Sequence, residues 1–497
     1  MTKKFAVVVA LVLSLSFCFA GCGHQQNYID ERSEQISTYT IDATYNHDTK
    51  TLVAKQNVTF KNNTGTVLDE VKFHLYPNAF RQDAKYKAVD EKDVTNAYPS
   101  GKSFGKIDVT KVTAKGRQVA VDVGGIDKNI LTVPLEKSLK SGDEVDIQIE
   151  FCDLLPKVAH RYGYTDNAVC FGNWYPVVCG YKDGWKTEPY YTNGDPFFSD
   201  MANYNVTITY PKQMTIASTG NADTQTTNNQ KVTRSNAKTV RDFAFVLFDK
   251  VEVLSTDVGG VKVDYFYFND KNAQQNLQVA GECVAFFNES FGEYPYDSLS
   301  VVQTDFLYGG MEYPNIVYIS SSLDQTAQKQ VIVHEIAHQW WYNLVGNDQV
   351  AHAWLDEGLT EFSTALFFKD NDKYKDEISY DKLIKTAERK YTMFVDVLDS
   401  FDGGADTTMT RASNQYATEQ EYVCMTYTKG MLLFDNLMFG MGQNKMLKCL
   451  KNYFDEYKTK ISTPQNMTDS FCKTTGTNLK PFFDNWLNGK VILGEIG

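Results

Sequence analysis

A pair of histidines near the middle of the chain limits the possible folds more than any other feature. His334 and His338 are four residues apart, and Glu335 lies between them. Apolar residues recur at helical spacing from residue 323 to residue 344. On a helix, side chains four residues apart project from the same face, so both imidazole rings can reach one ion while Glu335 points beside it. The sequence therefore predicts a central helix with a metal-binding face.

A third candidate ligand follows on the C-terminal side. Glu357 lies in the segment Trp-Leu-Asp-Glu-Gly at residues 354–358, where a second helix is predicted to begin. Two imidazoles and one carboxylate, with the fourth position left to water, form the ligand set of catalytic zinc sites, whereas structural sites are more often closed by cysteine. The alternative is an ordinary helix that carries surface His and Glu residues. We predict one zinc ion per chain, held by His334, His338 and Glu357.

Two further glutamates are placed to support these ligands. Glu335 could take a proton from a water whose pKa the zinc ion lowers, and could later deliver one to a leaving amine. Glu361 follows Glu357 by one helical turn, so it could accept a hydrogen bond from a ligand histidine. A solvated charge on the helix is the alternative for Glu361. The pattern predicts a zinc-dependent hydrolase with Glu335 as general base.

The chain before this site has a different pattern. From residue 39 to residue 253, short runs of alternating apolar and polar residues are separated by turn signals. This pattern predicts an all-β N-terminal domain, which we place at residues 37–255. Strand-like and helical runs mix after residue 260, and helical patterns dominate from about residue 380. The predicted fold class is therefore multidomain, with an α+β catalytic domain at residues 256–497 that ends in a helical lobe.

The N-terminus is predicted to be a targeting segment. Two lysines precede an uncharged apolar run that is too short for a membrane span. Ala-Gly-Cys at residues 20–22 resembles the processing site of bacterial lipoproteins, where lipid is attached to the cysteine sulfur. We expect a lipoprotein signal peptide at residues 1–22, a flexible tether at residues 23–36, and an extracytoplasmic protein anchored to the bacterial cell membrane through Cys22. A plain signal peptide, which would give a secreted protein, is the alternative.

The net charge and the spacing of the cysteines argue against one class of partner and two kinds of cysteine site. The formal net charge is -13, which argues against a nucleic-acid partner because such proteins usually carry a basic face. The nine cysteines are scattered and contain no CxxC pair, so they do not indicate a disulfide framework or a cysteine-rich zinc site. Cys170 and Cys179 could pair across a hairpin, and free, partly buried thiols are the alternative.

Four segments resemble, in order, the motifs of the aminopeptidase N family of zinc metallopeptidases, the gluzincins. They are GGMEYP at residues 309–314, HEIAHQWW at residues 334–341, WLDEG at residues 354–358 and YTKG at residues 427–430. The β region is also similar to the N-terminal domain of that family, in FHLYPN at residues 73–78 and NWYP at residues 173–176. The resemblance covers nearly the whole mature chain. It implies a saddle-like β sandwich followed by a thermolysin-like domain.

The resemblance also implies roles for residues outside the metal site. It assigns to the Tyr427 hydroxyl one side of the oxyanion that forms during hydrolysis. It implies that Glu312 pairs with the free α-amine of a peptide, which would make the chain an aminopeptidase acting on extracellular peptides. The extended backbone of Gly309, Gly310 and Met311 would bind the substrate like an added strand. Tyr313 departs from the family motif, which often has Asn at that position.

Other expectations concern size and competing functions. Larger members of the family continue into a helical C-terminal domain that caps the site, and we expect this chain to lack it and to accept longer peptides. A zinc endopeptidase of the same class is one alternative function, and Glu312 distinguishes it from an aminopeptidase. A non-catalytic lipoprotein that binds peptides is the alternative from a different class.

Overall fold

The alternating pattern of the N-terminal region forms strands that bury every second side chain. The computed structural model describes residues 26–401 and 403–493. In β1 (Ser37–Asn46), Ile41, Ala43 and Tyr45 are buried and the residues between them are exposed. This alternation places one face of the strand on a core and the other in solvent. The predicted signal peptide and Cys22 lie outside the described residues.

The elements before residue 250 are mostly strands. They are α1 (Gln26–Ser33), β1, β2 (Thr51–Lys61), β3 (Leu68–His74), α2 (Val94–Ala97), β4 (Lys106–Ala114), β5 (Arg117–Gln118), β6 (Asp122–Gly124), β7 (Ile130–Leu139), β8 (Glu144–Leu154), β9 (Tyr162–Tyr164), β10 (Val169–Phe171), β11 (Val177–Val178), β12 (Ala202–Pro211), β13 (Thr215–Ser218), β14 (Asn221–Thr227), β15 (Gln230–Val240) and β16 (Phe245–Phe248).

Three sheets share these strands. An eight-stranded sheet has the order β14-β15-β12-β1-β2-β8-β4-β5, and two four-stranded sheets have the orders β13-β16-β10-β9 and β11-β3-β7-β6. Within them, only the pairing of β1 with β12 is parallel among the described strands. The inner faces of the three sheets contribute to a single hydrophobic core, which also takes in Met311, Tyr313 and Tyr318 from the following region.

Part of the segment predicted as a tether is helical. In α1, the side chain of Ile29 is buried and its carbonyl accepts a hydrogen bond from the Thr239 hydroxyl. The Ser33 carbonyl accepts another from the Asn203 side chain. The helix is polar along most of its length, so these hydrogen bonds to the β region and the packing of Ile29 in the core of the catalytic region account for its docking.

The second half of the chain is a mixed region. Its elements are β17 (Glu252–Val258), β18 (Val261–Tyr267), α3 (Ala273–Ser290), β19 (Ser298–Thr304), β20 (Gly310–Met311), β21 (Ile316–Ser320), α4 (Gln325–Ala337), β22 (Val345–Gly346), α5 (Gln349–His352), α6 (Glu357–Asp370), α7 (Tyr380–Asp399), α8 (Glu419–Val423), α9 (Lys429–Met441), α10 (Gln443–Tyr457), β23 (Lys460–Ile461), α11 (Pro464–Thr475) and α12 (Lys480–Asn488).

A five-stranded sheet opens this half. Its order is β17-β18-β19-β21-β20, and β20 pairs antiparallel with β21 at the edge. Helix α3 packs on β17 and β18, and α4 packs on β21. From residue 380 onward the regular elements are helices, apart from the short strand β23. Among the described residues, no helix has the length and apolar character needed to cross a bilayer.

The described cysteines do not form disulfides. Seven cysteines fall in the described part of the chain, and all seven are free thiols. Cys170 and Cys179 are both buried, and burial raises the pKa of each thiol above its ordinary value. Buried thiols of this kind act as small hydrophobic residues.

Candidate metal centre and active site

His334, His338 and Glu357 form a triangle of ligand atoms. Nε2 of His334 lies 3.1 Å from Nε2 of His338. Oε2 of Glu357 lies 3.3 Å and 3.2 Å from those two nitrogens. A zinc ion with tetrahedral ligands at about 2.0–2.1 Å keeps the ligand atoms about 3.3 Å apart. The three side chains therefore already have the spacing that a zinc ion requires.

Two helix ends position these ligands. The Asp324 side chain caps α4 by accepting a hydrogen bond from the Ala327 backbone N–H at 2.9 Å. His334 lies in the last turn of α4, His338 follows the end of that helix, and Glu357 is the first residue of α6. Burial raises the pKa of Glu357, but the imidazoles of His338 and His334 outweigh burial and lower that pKa below its ordinary value. The carboxylate is thus kept ionised, as a metal ligand must be.

The outer nitrogens of both histidines face possible acceptors, and that of His338 has hydrogen-bond partners. Nδ1 of His338 lies 2.9 Å from the Trp341 carbonyl and 3.2 Å from the Thr360 hydroxyl. Nδ1 of His334 lies 3.4 Å from Oε1 of Glu361, close to it but without a hydrogen bond. An acceptor at Nδ1 keeps the proton on that nitrogen and leaves the Nε2 lone pair free for a metal ion. Glu361 lies where its spacing from Glu357 predicts.

Glu335 is buried beside the triangle and packs against β20. A Cβ atom added to Gly310 would clash with the Glu335 carboxyl group, so glycine at that position lets Glu335 keep its place. Burial, together with the nearby carboxylate of Glu312, raises the pKa of Glu335 well above its ordinary value. A carboxylate of raised pKa is suited to accept a proton and return it.

Glu312 follows the edge strand β20 and points toward the same site. Its Oε1 accepts a hydrogen bond from the Gln349 side chain at 3.0 Å. Burial and then the Asp195 carboxylate raise the pKa of Glu312 to about 8. A cation bound at this carboxylate would stabilise its ionised form, because opposite charges lower the pKa of a buried acid. The site is therefore suited to a cationic group.

Tyr427 lies in a π-helical turn, Cys424–Thr428, between α8 and α9. Its ring is nearly parallel to the His334 ring, with centroids 6.0 Å apart. Burial raises the pKa of Tyr427 well above its ordinary value, so the phenol keeps its proton and can donate a hydrogen bond. Turns of this kind are common at functional sites.

A cavity of about 220 Å³ joins these side chains. Its lining consists of Asp195, Tyr308, Gly309, Gly310, Glu312, Gln330, Val331, His334, Glu335, His338, Glu357, Glu361 and Tyr427. The structure thus brings together every site residue predicted in the catalytic region except Met311. The Met311 side chain is 1% exposed and packs into the core of the β region, because neighbouring residues of a strand point to opposite faces.

The sequence did not reveal Asp195, which reaches the cavity from the β region. Carboxylate oxygens of Asp195, Glu312 and Glu357 lie within 4.8 Å of one another. The buried Arg161 guanidinium forms an ion pair with Asp195. No motif in the printed sequence marks Asp195, because its proximity to the site depends on how the β region packs on the catalytic region.

A comparison with known protein families gives a match in the catalytic region. Residues 275–486 match the profile described as the Peptidase family M1 domain. The catalytic region of the chain is therefore similar to the domain that defines peptidase family M1. Leucine aminopeptidase 2 of Candida albicans is 28% identical over 216 residues, which is 38% of this chain and 31% of that protein. Aminopeptidase M1-A of Oryza sativa subsp. japonica is 26% identical over 255 residues, covering 48% of this chain and 28% of that protein. The aligned parts therefore span about a third or less of these curated relatives.

Solved structures extend the likeness in fold to nearly the whole chain. The M1 zinc metallopeptidase from Deinococcus radiodurans has a TM-score of 0.64 at 14% identity, covering 93% of this chain and 95% of that one. A mutant of that enzyme bound to the substrate Tyr-Ser-Ala gives the same TM-score and the same coverage. The predicted fold class, a β-sheet N-terminal region followed by a helical catalytic region, is confirmed.

Within the region that matches the M1 profile, two glycines bring the helices around Glu357 and Tyr427 together. A Cβ atom on Gly358 would lie 2.7 Å from Cα of Gly430, and one on Gly430 would lie 2.6 Å from Cα of Gly358. Gly358 follows Glu357 in α6, and Gly430 lies just after the π-helical turn. The close approach of α6 and α9 places the Tyr427 ring beside the metal-binding triangle.

Proposed function

We propose that the chain is a zinc-dependent aminopeptidase that removes N-terminal residues from extracellular peptides. The observation that carries this proposal is that Glu312 and the triangle of His334, His338 and Glu357 line one small cavity. A carboxylate close to the metal-binding side chains can hold the α-ammonium group of a peptide while the first peptide bond lies over the metal position. Relatives named as aminopeptidases, and a structural neighbour bound to a tripeptide, support the same reaction class.

The residues of the chain have complementary tasks in this proposal. A zinc ion, when bound, supplies a Lewis acid that polarises the carbonyl and lowers the pKa of the attacking water. The oxygen of that water bonds to the carbonyl carbon, and Glu335 accepts the proton that the water releases. Glu335 then gives the proton to the amide nitrogen, the C–N bond breaks, and the shortened peptide leaves as an amine. Tyr427 donates a hydrogen bond to the carbonyl oxygen as negative charge develops there.

Substrate orientation comes from Glu312 and the edge of the sheet. Glu312 would pair with the α-ammonium group, so a blocked N-terminus removes both the positive charge and its hydrogen bonds. β20 forms the outer edge of its five-stranded sheet. The backbone at Gly309, Gly310 and Met311 can therefore add an extended peptide as a further strand.

The test uses the purified protein, metal analysis and a fluorogenic leucine amide. We expect one zinc ion per chain and hydrolysis that requires a free amino group. Glu335→Gln should lower kcat by about a thousandfold or more while the zinc content stays unchanged, because the general base is lost and the ligands are kept. Glu289→Gln, an exposed glutamate on α3, is the matched control and should behave like the wild type.

Two results would contradict this proposal. Equal cleavage of acetylated and free N-termini would indicate an endopeptidase. A protein that holds zinc and binds peptides but hydrolyses none of them would indicate a binding protein.

We also propose that the protein is a lipoprotein anchored outside the bacterial cytoplasm through Cys22. The support is the apolar N-terminal run followed by Ala-Gly-Cys. The test is expression in a bacterial host followed by fractionation and metabolic labelling with a radioactive fatty acid. The wild type should be labelled and found in the membrane fraction, and Cys22→Ala should be unlabelled. Absence of label on the wild type would overturn the anchor.

A further inference from the structure

A single buried amide joins Glu312 to the segment that carries a metal ligand. Gln349 begins α5 and is 2% exposed. Its Nε2 donates to Oε1 of Glu312 and to Oδ2 of Asp356, each at 3.0 Å. Asp356 directly precedes Glu357, the third metal-ligand candidate. Both hydrogens of one side-chain amide are thus used to bridge two buried carboxylates.

The chemistry of this bridge suits a neutral donor. An oxygen of each carboxyl group accepts from the amide, so the NH2 group of Gln349 faces both of them. A lysine or arginine at position 349 would place a positive charge where a substrate ammonium group has to bind. An apolar residue would leave Oε1 of Glu312 without its donor in a buried site, which is unfavourable. Gln349 therefore fixes the carboxylate without neutralising it.

The other contacts of the bridge hold it in place. Oδ1 of Asp356 accepts a hydrogen bond from the Asn347 side chain at 2.9 Å. The Asp348 side chain caps α5 by accepting from the Ala351 backbone N–H at 3.0 Å. These bonds fix the backbone on either side of Gln349 and the carboxylate of Asp356. Glu312 is thus held from a frame that also includes the start of α6.

We propose that Gln349 is a positioning residue that sets the preference for a free N-terminus by holding the Glu312 carboxylate toward the cavity. This inference rests on the proposed aminopeptidase function. Without the amide, the Glu312 side chain can rotate away from the α-ammonium position, and a carboxylate misplaced by about 1 Å loses much of its value for orientation. The effect should fall on recognition of the amine rather than on the reacting groups around Glu335.

The test replaces Gln349 by methionine, which is similar in length and makes no hydrogen bonds. For leucine amide, Gln349→Met should raise KM about tenfold and change kcat less than about threefold, the scale expected for one charge-assisted hydrogen bond. The ratio of kcat/KM for free over acetylated substrate should fall by about the same factor. Zinc content should stay at the wild-type value. Gln328→Met, which removes a buried glutamine from the start of α4, is the control and should leave the ratio unchanged.

A double-mutant cycle separates this role from a general structural one. In a Glu312→Gln background, Gln349→Met should have little further effect on KM, because the group on which it acts is gone. Gln349→Asn keeps the amide but is one methylene shorter, so it should raise KM for leucine amide by a smaller factor. This variant replaces Gln349→Met in the test if the methionine variant does not fold. Binding of leucine amide to Glu335→Gln protein, measured by calorimetry, should weaken about tenfold when Gln349→Met is added.

The outcomes distinguish the two proposals. In the first outcome, the wild type is active, and neither Gln349→Met nor Gln349→Asn changes the ratio of kcat/KM for free over acetylated substrate. That result overturns the role of Gln349 and leaves the aminopeptidase function standing. Equal and additive effects in the wild-type and Glu312→Gln backgrounds overturn it as well. A wild type that does not distinguish free from acetylated substrate overturns both.

Discussion

The hydroxyl group of Tyr313 donates a hydrogen bond of 2.6 Å to Oδ1 of Asn173. This bond links the residue after Glu312 to the β region, since Asn173 in turn donates to the buried carboxylate of Asp242. A Cβ atom on Gly172 would lie 2.0 Å from the Tyr313 hydroxyl oxygen, so this glycine makes room for the ring. Tyrosine at the position where the family often has asparagine thus ties the Glu312 segment to the N-terminal sheets.

We expect Tyr313→Phe to lower the free energy of unfolding by about 1–3 kcal/mol. The change leaves Oδ1 of Asn173 buried without its donor, and an unpaired buried acceptor carries a cost of that size. The measurement is urea denaturation followed by fluorescence. Tyr318→Phe is the control, because that equally buried hydroxyl lies 3.4 Å from its acceptor, the Phe245 carbonyl, and should matter less. Equal stability of Tyr313→Phe and the wild type would show that the bond contributes nothing.

Tyr427→Phe should lower kcat by about a hundredfold to a thousandfold with a small change in KM. The hydroxyl would act on charge that develops only during the reaction, so its loss is felt in the transition state more than in substrate binding. Steady-state kinetics with leucine amide, together with metal analysis, measures this. Tyr416→Phe is a suitable control, because its hydroxyl is directed to the Met409 carbonyl at 3.4 Å. A loss of zinc in Tyr427→Phe would instead indicate a structural role.

The sequence predicted the parts of the site that depend on local spacing. His334 and Glu335 lie in the last turn of α4 and His338 directly follows it, so helical geometry places all three without knowledge of the rest of the fold. Glu312 and Tyr427 were found only because their motifs resemble those of a known family. Both lie outside the helix that carries the histidines, and no periodicity connects them with it.

Gln349 and Asp195 could not be predicted from the sequence, because their neighbours are fixed by tertiary packing. Asp195 reaches the cavity across the boundary between the β region and the catalytic region. Gln349 begins a four-residue helix, and that helix is too short to give a pattern. The helix at residues 26–33 was also not anticipated. Its stability comes from docking on the rest of the fold, and a polar sequence does not reveal such a contact.

Glu361→Gln should weaken zinc binding by about tenfold to a hundredfold. Glu361 lies 3.4 Å from Nδ1 of His334, and a carboxylate there both orients the ring and increases the basicity of Nε2. Competition with a fluorescent chelator at fixed pH measures the affinity. Glu377→Gln is the control, because Glu377 forms an ion pair with Lys329, and Lys329 lies on the same helix as His334. An unchanged zinc affinity would mean that Glu361 is a solvated charge with no influence on the metal site.

The buried His74 should make the protein less stable in mild acid. His74 ends β3 with 3% exposure, and its ring stacks on Tyr76 with centroids 4.6 Å apart. Burial lowers the pKa of His74 to about 4, whereas an unfolded histidine has a pKa of about 6.5. Between these values the unfolded state binds the proton more readily. The stability gained by burying a neutral ring is therefore full above about pH 6.5 and is lost as the pH falls through about 4.

His74→Phe should remove this dependence while keeping a ring against Tyr76. We expect the unfolding free energy of the wild type, relative to that of His74→Phe, to be constant above about pH 6.5 and to fall by up to about 3 kcal/mol by pH 4. Measuring both proteins after removal of metal with a chelator keeps loss of the metal out of the comparison, and the titration of all groups shared by the two proteins cancels in the difference. A difference that stays constant from pH 7 to pH 4 would show that the His74 ring is protonated as easily in the folded protein as in the unfolded chain.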